Sequence, residues 1–208
     1  MTVSKSSDGK HLIIGVENIE DEIRKEQECL KALNTEKELA RRDELTGIRN
    51  KNAYIELEDS IQSNIESGTI YIQFAIAVCD LNELKKINDT LGHKAGDEYI
   101  KSSAKQLCDI FDHSPVFRIG GDEFVIFLSG SDYNSRKELI EKLHKCSVEN
   151  LNKGEGTVIA VGMSEFDSEN DSAVSEVFDR ADKLMYEDKL ELKEEKSKTP
   201  VKSDMIYS

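Results

Sequence analysis

Hydrophobic positions recur with two different periods along this chain, and the switches between them outline its elements. Residues 11–19 (HLIIGVENI) read as a short strand. Residues 19–42 contain no Gly or Pro, and their apolar positions fall at Ile19, Ile23, Leu30 and Leu33, with Ala40 further on. Those spacings mark one face of a helix. Glu26 and Lys37 interrupt the stripe, so a self-sufficient coiled coil is not expected. Such a helix either lies solvated on a neighbouring domain or serves as a stalk pairing with a second copy. Residues 43–47 (DELTG) break the pattern, and a second helix runs to about Glu66, where Ser67-Gly68 ends it.

The run 71–79 (YIQFAIAVC) is almost wholly apolar and β-rich, which predicts a central strand covered on both faces and stopping at Asp80. A short helix is expected over 83–90, closed by Leu91-Gly92-His93, and a longer one over 95–111. Two strands, 116–119 and 124–128, flank Gly120-Gly121-Asp122-Glu123, a hairpin signal. A helix with capping residues at its start is expected over 132–152, a strand over 157–164, and a last helix from Ser172 to about Lys196 with a frayed tail from Ser197. Helices alternating with a largely antiparallel sheet imply an α+β fold with helices packed on the sheet.

Composition narrows this picture. The chain is 38% hydrophobic and 34% charged, enough for one core with several solvated helices, and its 208 residues suit one ordinary domain plus an appendage. No apolar run approaches the ~20 residues a membrane helix needs, and residues 1–10 lack a signal peptide's apolar stretch. A cytoplasmic chain is expected. Cys29, Cys79, Cys108 and Cys146 lack metal-ligand spacing and read as reduced, buried or half-buried thiols. His11, His93, His113 and His144 form no zinc pattern. A net charge of −14 argues against nucleic acid as a partner. An acidic chain binding a small polyphosphate must supply local compensation from a metal ion, placed lysines or backbone N–H groups.

The chemistry concentrates at the strand end and the hairpin. Asp80 ends the apolar run, and Asp122 and Glu123 sit in the later turn. If the strands are neighbours, these carboxylates converge, which is costly without a cation. Hard oxygen ligands suit Mg²⁺. Taken alone, the turn would be an ordinary hairpin.

The surrounding residues change that reading. Arg118-Ile119-Gly120-Gly121-Asp122-Glu123-Phe124 resembles the signature of the GGDEF family of diguanylate cyclases. Residues 43–50 (DELTGIRN) resemble the family's opening D-x-L-T-G-L-x-N. Residues 80–89 (DLNELKKIND) resemble its metal and phosphate segment, 91–97 (LGHKAGD) its G-H-x-x-G-D block, and 181–186 (ADKLMY) the A-D-x-x-L-Y of its last helix. The match spans roughly residues 41–193. It implies a central, mostly antiparallel five-stranded sheet flanked by helices, palm- or nucleotidyl-cyclase-like, with an N-terminal helical extension. It also implies that two GTP condense to cyclic di-GMP across a homodimer, with Mg²⁺ or Mn²⁺ as cofactor; the alternative is a GTP-binding regulatory module. By resemblance, Asp80 and Glu123 hold the metal by side chain and Leu81 by its carbonyl. Asp122 assists at the reacting 3′-hydroxyl, by deprotonation or by metal contact. Gly120 and Gly121 let the backbone approach the triphosphate, Asn88 and Asp97 read guanine, and Lys85, Lys189 and Lys193 meet phosphate.

Departures from the family are equally readable. The inhibitory Arg-x-x-Asp expected upstream of the hairpin is replaced by Phe111 and Ser114, so no product-inhibition site is expected. Lys193 stands for an arginine, keeping the charge but losing the fork. Met185 and Tyr186 read as core, His93 as a turn residue, and Arg118 as structural, pairing with a carboxylate. By domain, residues 1–18 read as the remnant of a PAS-like sensor whose upstream part is missing, 19–42 as a helical linker, 43–196 as the catalytic domain and 197–208 as a disordered tail. The parent protein could be membrane-attached, with no membrane contact in this chain.

Overall fold

A computed structural model describes residues 2–5, 12–15, 20–69 and 73–198. The chain divides into two compact units, residues 1–40 and 41–208. In the first, β1 (Thr2–Lys5) pairs antiparallel with β2 (Leu12–Gly15), and α1 spans Glu20–Ala40. β1 had no counterpart in the sequence pattern. The rest of the strand expected over 11–19 lies outside the described residues, as does most of the segment read as a sensor remnant. Along α1, Ile23, Leu30 and Leu33 are exposed.

The second unit is built on a five-stranded sheet of order β3-β5-β6-β4-β7, formed by β3 (Arg49–Asn50), β4 (Phe74–Leu81), β5 (Val116–Arg118), β6 (Glu123–Ser129) and β7 (Ile159–Glu165). Only β3 and β5 run parallel; the other neighbours are antiparallel. The expected α+β architecture is therefore observed, with a mixed sheet. Every residue of β4 is buried, because the strand lies between β6 and β7 and is covered on both faces. Alternation sorts its side chains. Ala75, Ala77, Cys79 and Leu81 join one core with Ile100, Ala104 and Leu107 of α4 (His93–Ile110) and Leu143 of α6 (Arg136–Lys153). Phe74, Ile76 and Val78 join the other, with Tyr54 of α2 (Lys51–Glu66) and Val177, Ala181, Met185 and Leu192 of α7 (Val174–Lys198). Asn50 starts α2 by accepting the Ala53 N–H at 3.1 Å. Between β4 and α4 lies α3 (Leu84–Leu91).

Several expectations are corrected. The helix expected over 132–152 is two helices, α5 (Gly130–Asn134) and α6, separated by Ser135. Asp132 does not cap a helix; its buried carboxylate accepts the His113 N–H at 3.1 Å. The last helix runs through Lys198 rather than fraying at Ser197; residues 199–208 lie outside the described set. Met185 is buried as expected, but Tyr186 is 58% exposed, and Cys29 is exposed rather than half-buried.

Candidate active site

The register of β4 and β6 sets Asp80 directly opposite Glu123. Opposed residues of antiparallel neighbours project from the same face, where like charges repel. Lys189 of α7 answers this from that face: its Nζ lies 2.6 Å from Asp80 Oδ1. Burial pushes the Asp80 carboxyl above its usual range; Lys189 opposes that rise without cancelling it, and Asp122 adds to it. The turn is stitched to the strand end by the Leu81 N–H, which donates to the Asp122 carbonyl at 3.0 Å.

The two glycines differ. A Cβ on Gly120 would stand 2.4 Å from Glu123 Oε2, because the Glu123 side chain folds back over it. A Cβ on Gly121 would meet nothing within 4 Å, so that face of the turn is open. Arg118 holds the turn in place. One guanidinium nitrogen donates to both oxygens of Asp43 at 3.0 and 3.1 Å, and the other to the Gly121 carbonyl at 2.8 Å. Burial works against the charged form of Asp43, but hydrogen bonds from Thr46 and the guanidinium together hold its carboxyl below the usual range. The pairing expected for Arg118 is thus with Asp43.

A cleft of about 220 Å³ opens between the β4–α3 junction and α7. Lys85, Asp122, Lys189 and Lys193 all line it, beside Leu81. Asp80 reaches it through its pair with Lys189. Asn88 and Asp97 do not line the cleft; they sit where α3 meets α4. The Asn88 amide packs where a Gly96 Cβ would be, 2.0 Å from Oδ1, so a side chain at position 96 would displace that amide. Asp97 follows and is exposed.

Among the described residues, no three acidic, histidine or cysteine side chains converge as a cation cage. Mg²⁺ does not require one, since it is commonly held by one or two carboxylates together with waters and substrate phosphates. The register pair of Asp80 and Glu123, next to the Leu81 main chain, fits that demand, and the ammonium of Lys189 shows that a cation is accepted there. At the positions of the inhibitory motif, Phe111 is 1% exposed within the core and the Ser114 hydroxyl is buried; neither presents a charge.

Several contributors escape sequence reading. The Tyr99 hydroxyl donates to the Asn82 carbonyl at 2.9 Å and accepts the Val158 N–H at 2.8 Å, fixing the loop after β4. Asp188 accepts the Val161 N–H at 2.8 Å and pairs with His144 at 2.6 Å, locking α7 to β7 beside the site. Glu83 and Lys196, joined by an ion pair, border the cleft. Lys196 alone carried a readable signal, its spacing from Lys189 and Lys193 along one helix.

A family model described as "Diguanylate cyclase, GGDEF domain" matches residues 40–195. The diguanylate cyclase DgcP of Pseudomonas aeruginosa is 30% identical over 160 residues, covering 74% of this chain and 23% of that protein. The probable diguanylate cyclase DgcT of Escherichia coli is 31% identical over 166 residues, covering 76% of this chain and 35% of that protein. The chain thus spans about a quarter to a third of the length of these relatives. The coiled coil and GGDEF domain of DgcB from Caulobacter crescentus, solved in complex with c-di-GMP, superposes with a TM-score of 0.65 at 22% identity, covering 82% of this chain and 92% of that one. At that identity the likeness is one of fold.

Proposed function

The chain belongs to the GGDEF family, and from that membership we propose that it is a diguanylate cyclase, condensing two GTP into cyclic di-GMP with release of pyrophosphate. Residues 43–196 are the catalytic domain, 19–42 its helical linker, and the cytoplasm its compartment. The observation that carries the reading is the register pair Asp80–Glu123, whose chain neighbours Leu81 and Asp122 line a lysine-bearing cleft. Carboxylates and ammonium groups side by side suit a metal–triphosphate, which carries both signs of charge.

Each domain would hold one GTP. Asp80, Glu123 and the Leu81 carbonyl would hold Mg²⁺ or Mn²⁺, which supplies charge neutralisation and lowers the pKa of a coordinated hydroxyl. Lys85, Lys189 and Lys193 would take the phosphate oxygens, with Lys189 exchanging its Asp80 contact for phosphate. Gly121 leaves room for the phosphates above the turn. Asn88 and Asp97 take guanine; a carboxylate suits its adjacent N1–H and N2–H donors. Two domains face each other. The 3′-oxygen of each GTP, assisted by Asp122 in losing its proton, bonds to the α-phosphorus of the other, and the bond from that phosphorus to pyrophosphate breaks. Because Phe111 and Ser114 offer no charge, the product has no inhibitory Arg-x-x-Asp site to occupy.

Purified chain incubated with GTP and Mg²⁺ should release pyrophosphate and form cyclic di-GMP, and Glu123→Gln should abolish both. Bound GTP without pyrophosphate release at high protein concentration would instead make this a regulatory binding module. Lys193 in place of an arginine favours that second reading, through weaker grip on phosphate.

A further inference from the structure

Lys189, Lys193 and Lys196 follow one another along α7 at spacings that keep them on one face, and all three line the 220 Å³ cleft with Lys85 and Asp122. Lys189 and Lys193 fall on the family's phosphate positions; Lys196 falls on none of its motifs. The Lys196 ammonium donates to Glu83 Oε2. Glu83 sits at the β4–α3 junction with φ of 72°, the only non-glycine residue with positive φ among those described. That conformation disfavours a glutamate, yet it holds the carboxylate toward α7, while the Glu83 carbonyl accepts the Ile87 N–H at 2.9 Å to begin α3. The two side chains are 41% and 32% exposed, so the pair is of the solvent-screened, easily exchanged kind.

We propose that Lys196 is a fourth polyphosphate-binding cation of this chain, kept at the cleft by Glu83 and transferred to the terminal phosphates when nucleotide binds. The inference rests on the GTP reading above. Phosphate oxygens at the end of a triphosphate carry more charge than a single carboxylate, so the exchange is favourable. It also offsets a loss: Lys193 offers a point charge where an arginine would offer a fork, and a further ammonium one helical turn along restores a second contact. The same exchange leaves Glu83 with Lys86 alone, 3.7 Å away on its own helix, and removes the tie between α7 and the loop that joins the metal-ligand strand to the Asn88 helix.

The test is calorimetric titration of the full-length chain with a non-hydrolysable GTP analogue and with GMP, each with Mg²⁺, for wild type, Lys196→Met, Lys196→Arg and Glu83→Gln. Loss of one charge-assisted contact predicts that Lys196→Met binds the analogue about tenfold more weakly, with GMP affinity unchanged because GMP lacks the terminal phosphates. Lys196→Arg retains wild-type affinity, and Glu83→Gln binds at least as tightly as wild type because the ammonium is no longer held. A Lys196→Met affinity equal to wild type overturns the proposal while leaving the GTP reading intact. So does an equal loss in Glu83→Gln and Lys196→Met, the mark of a merely structural tie. A wild-type chain that binds neither nucleotide removes the GTP reading, and this inference with it.

Discussion

At the scale of single residues, Arg118 is the side chain on which the turn depends. It is 13% exposed and its partner Asp43 21%, so removing the guanidinium leaves a half-buried carboxylate without its charge partner. Arg118→Ala should cost about 2–3 kcal/mol in urea denaturation, and Arg118→Lys should recover only part, since one ammonium cannot serve both Asp43 oxygens and the Gly121 carbonyl. The depressed Asp43 carboxyl fixes the sign of a pH effect. Its contribution to stability is present above the unfolded carboxylate pKa of about 4 and is lost as pH falls through the lower folded value. Asp43→Asn should therefore be less stable than wild type at neutral pH, and the gap should narrow in acid. The glycines give a contrasting test. Gly121→Ala meets no neighbouring atom and should melt within about 1 °C of wild type; a fall in GTP affinity in that variant would mean the nucleotide lies against the turn. Asp80 and Glu123 were legible because a strand end and a turn announce themselves locally. The partner of Arg118 was not, because Asp43 lies 75 positions away and no local pattern connects them.

At the scale of elements, the site depends on how closely α7 rides on β7. A Cβ on Gly162 would stand 2.0 Å from the Met185 backbone nitrogen and 2.2 Å from the Ala181 carbonyl oxygen. Backbone cannot turn aside as a side chain can. Gly162→Ala should therefore displace α7, cost about 3 kcal/mol, and lower GTP affinity as well, since Lys189 and Lys193 move with the helix. A stability loss with unchanged nucleotide affinity would mean that α7 is repacked without moving its lysines. Periodicity made α1, α2, α4 and the buried run of β4 readable, because each is long enough to repeat its pattern. It could not show β3, whose two residues carry no period and become a strand only by pairing with β5. It also joined α5 to α6, since polar Ser135 fits a helical pattern and the bond that draws Asp132 away, to the His113 N–H, is nonlocal.

At the scale of the whole molecule, the proposed reaction sets a requirement that one catalytic domain cannot meet. Each 3′-oxygen needs the α-phosphorus of a GTP held by another copy, so turnover per chain should rise with protein concentration until pairing saturates. The stripe Ile23, Leu30 and Leu33, exposed on α1, is the apolar surface suited to that pairing, although it is interrupted by charge. Replacing Leu30 and Leu33 together by glutamate sets like charges along the stripe. The concentration giving half-maximal turnover per chain should then rise about tenfold or more, as expected from losing at least ~1.4 kcal/mol of association energy. GTP affinity per chain should be unchanged, because the lysines and carboxylates of the site belong to the second unit. Chelating the divalent metal with EDTA should instead abolish turnover at every protein concentration. The two perturbations separate pairing from chemistry: if the α1 substitutions lowered turnover equally at all concentrations, the helix would be acting on the site rather than on assembly, and the stalk reading of α1 would fall.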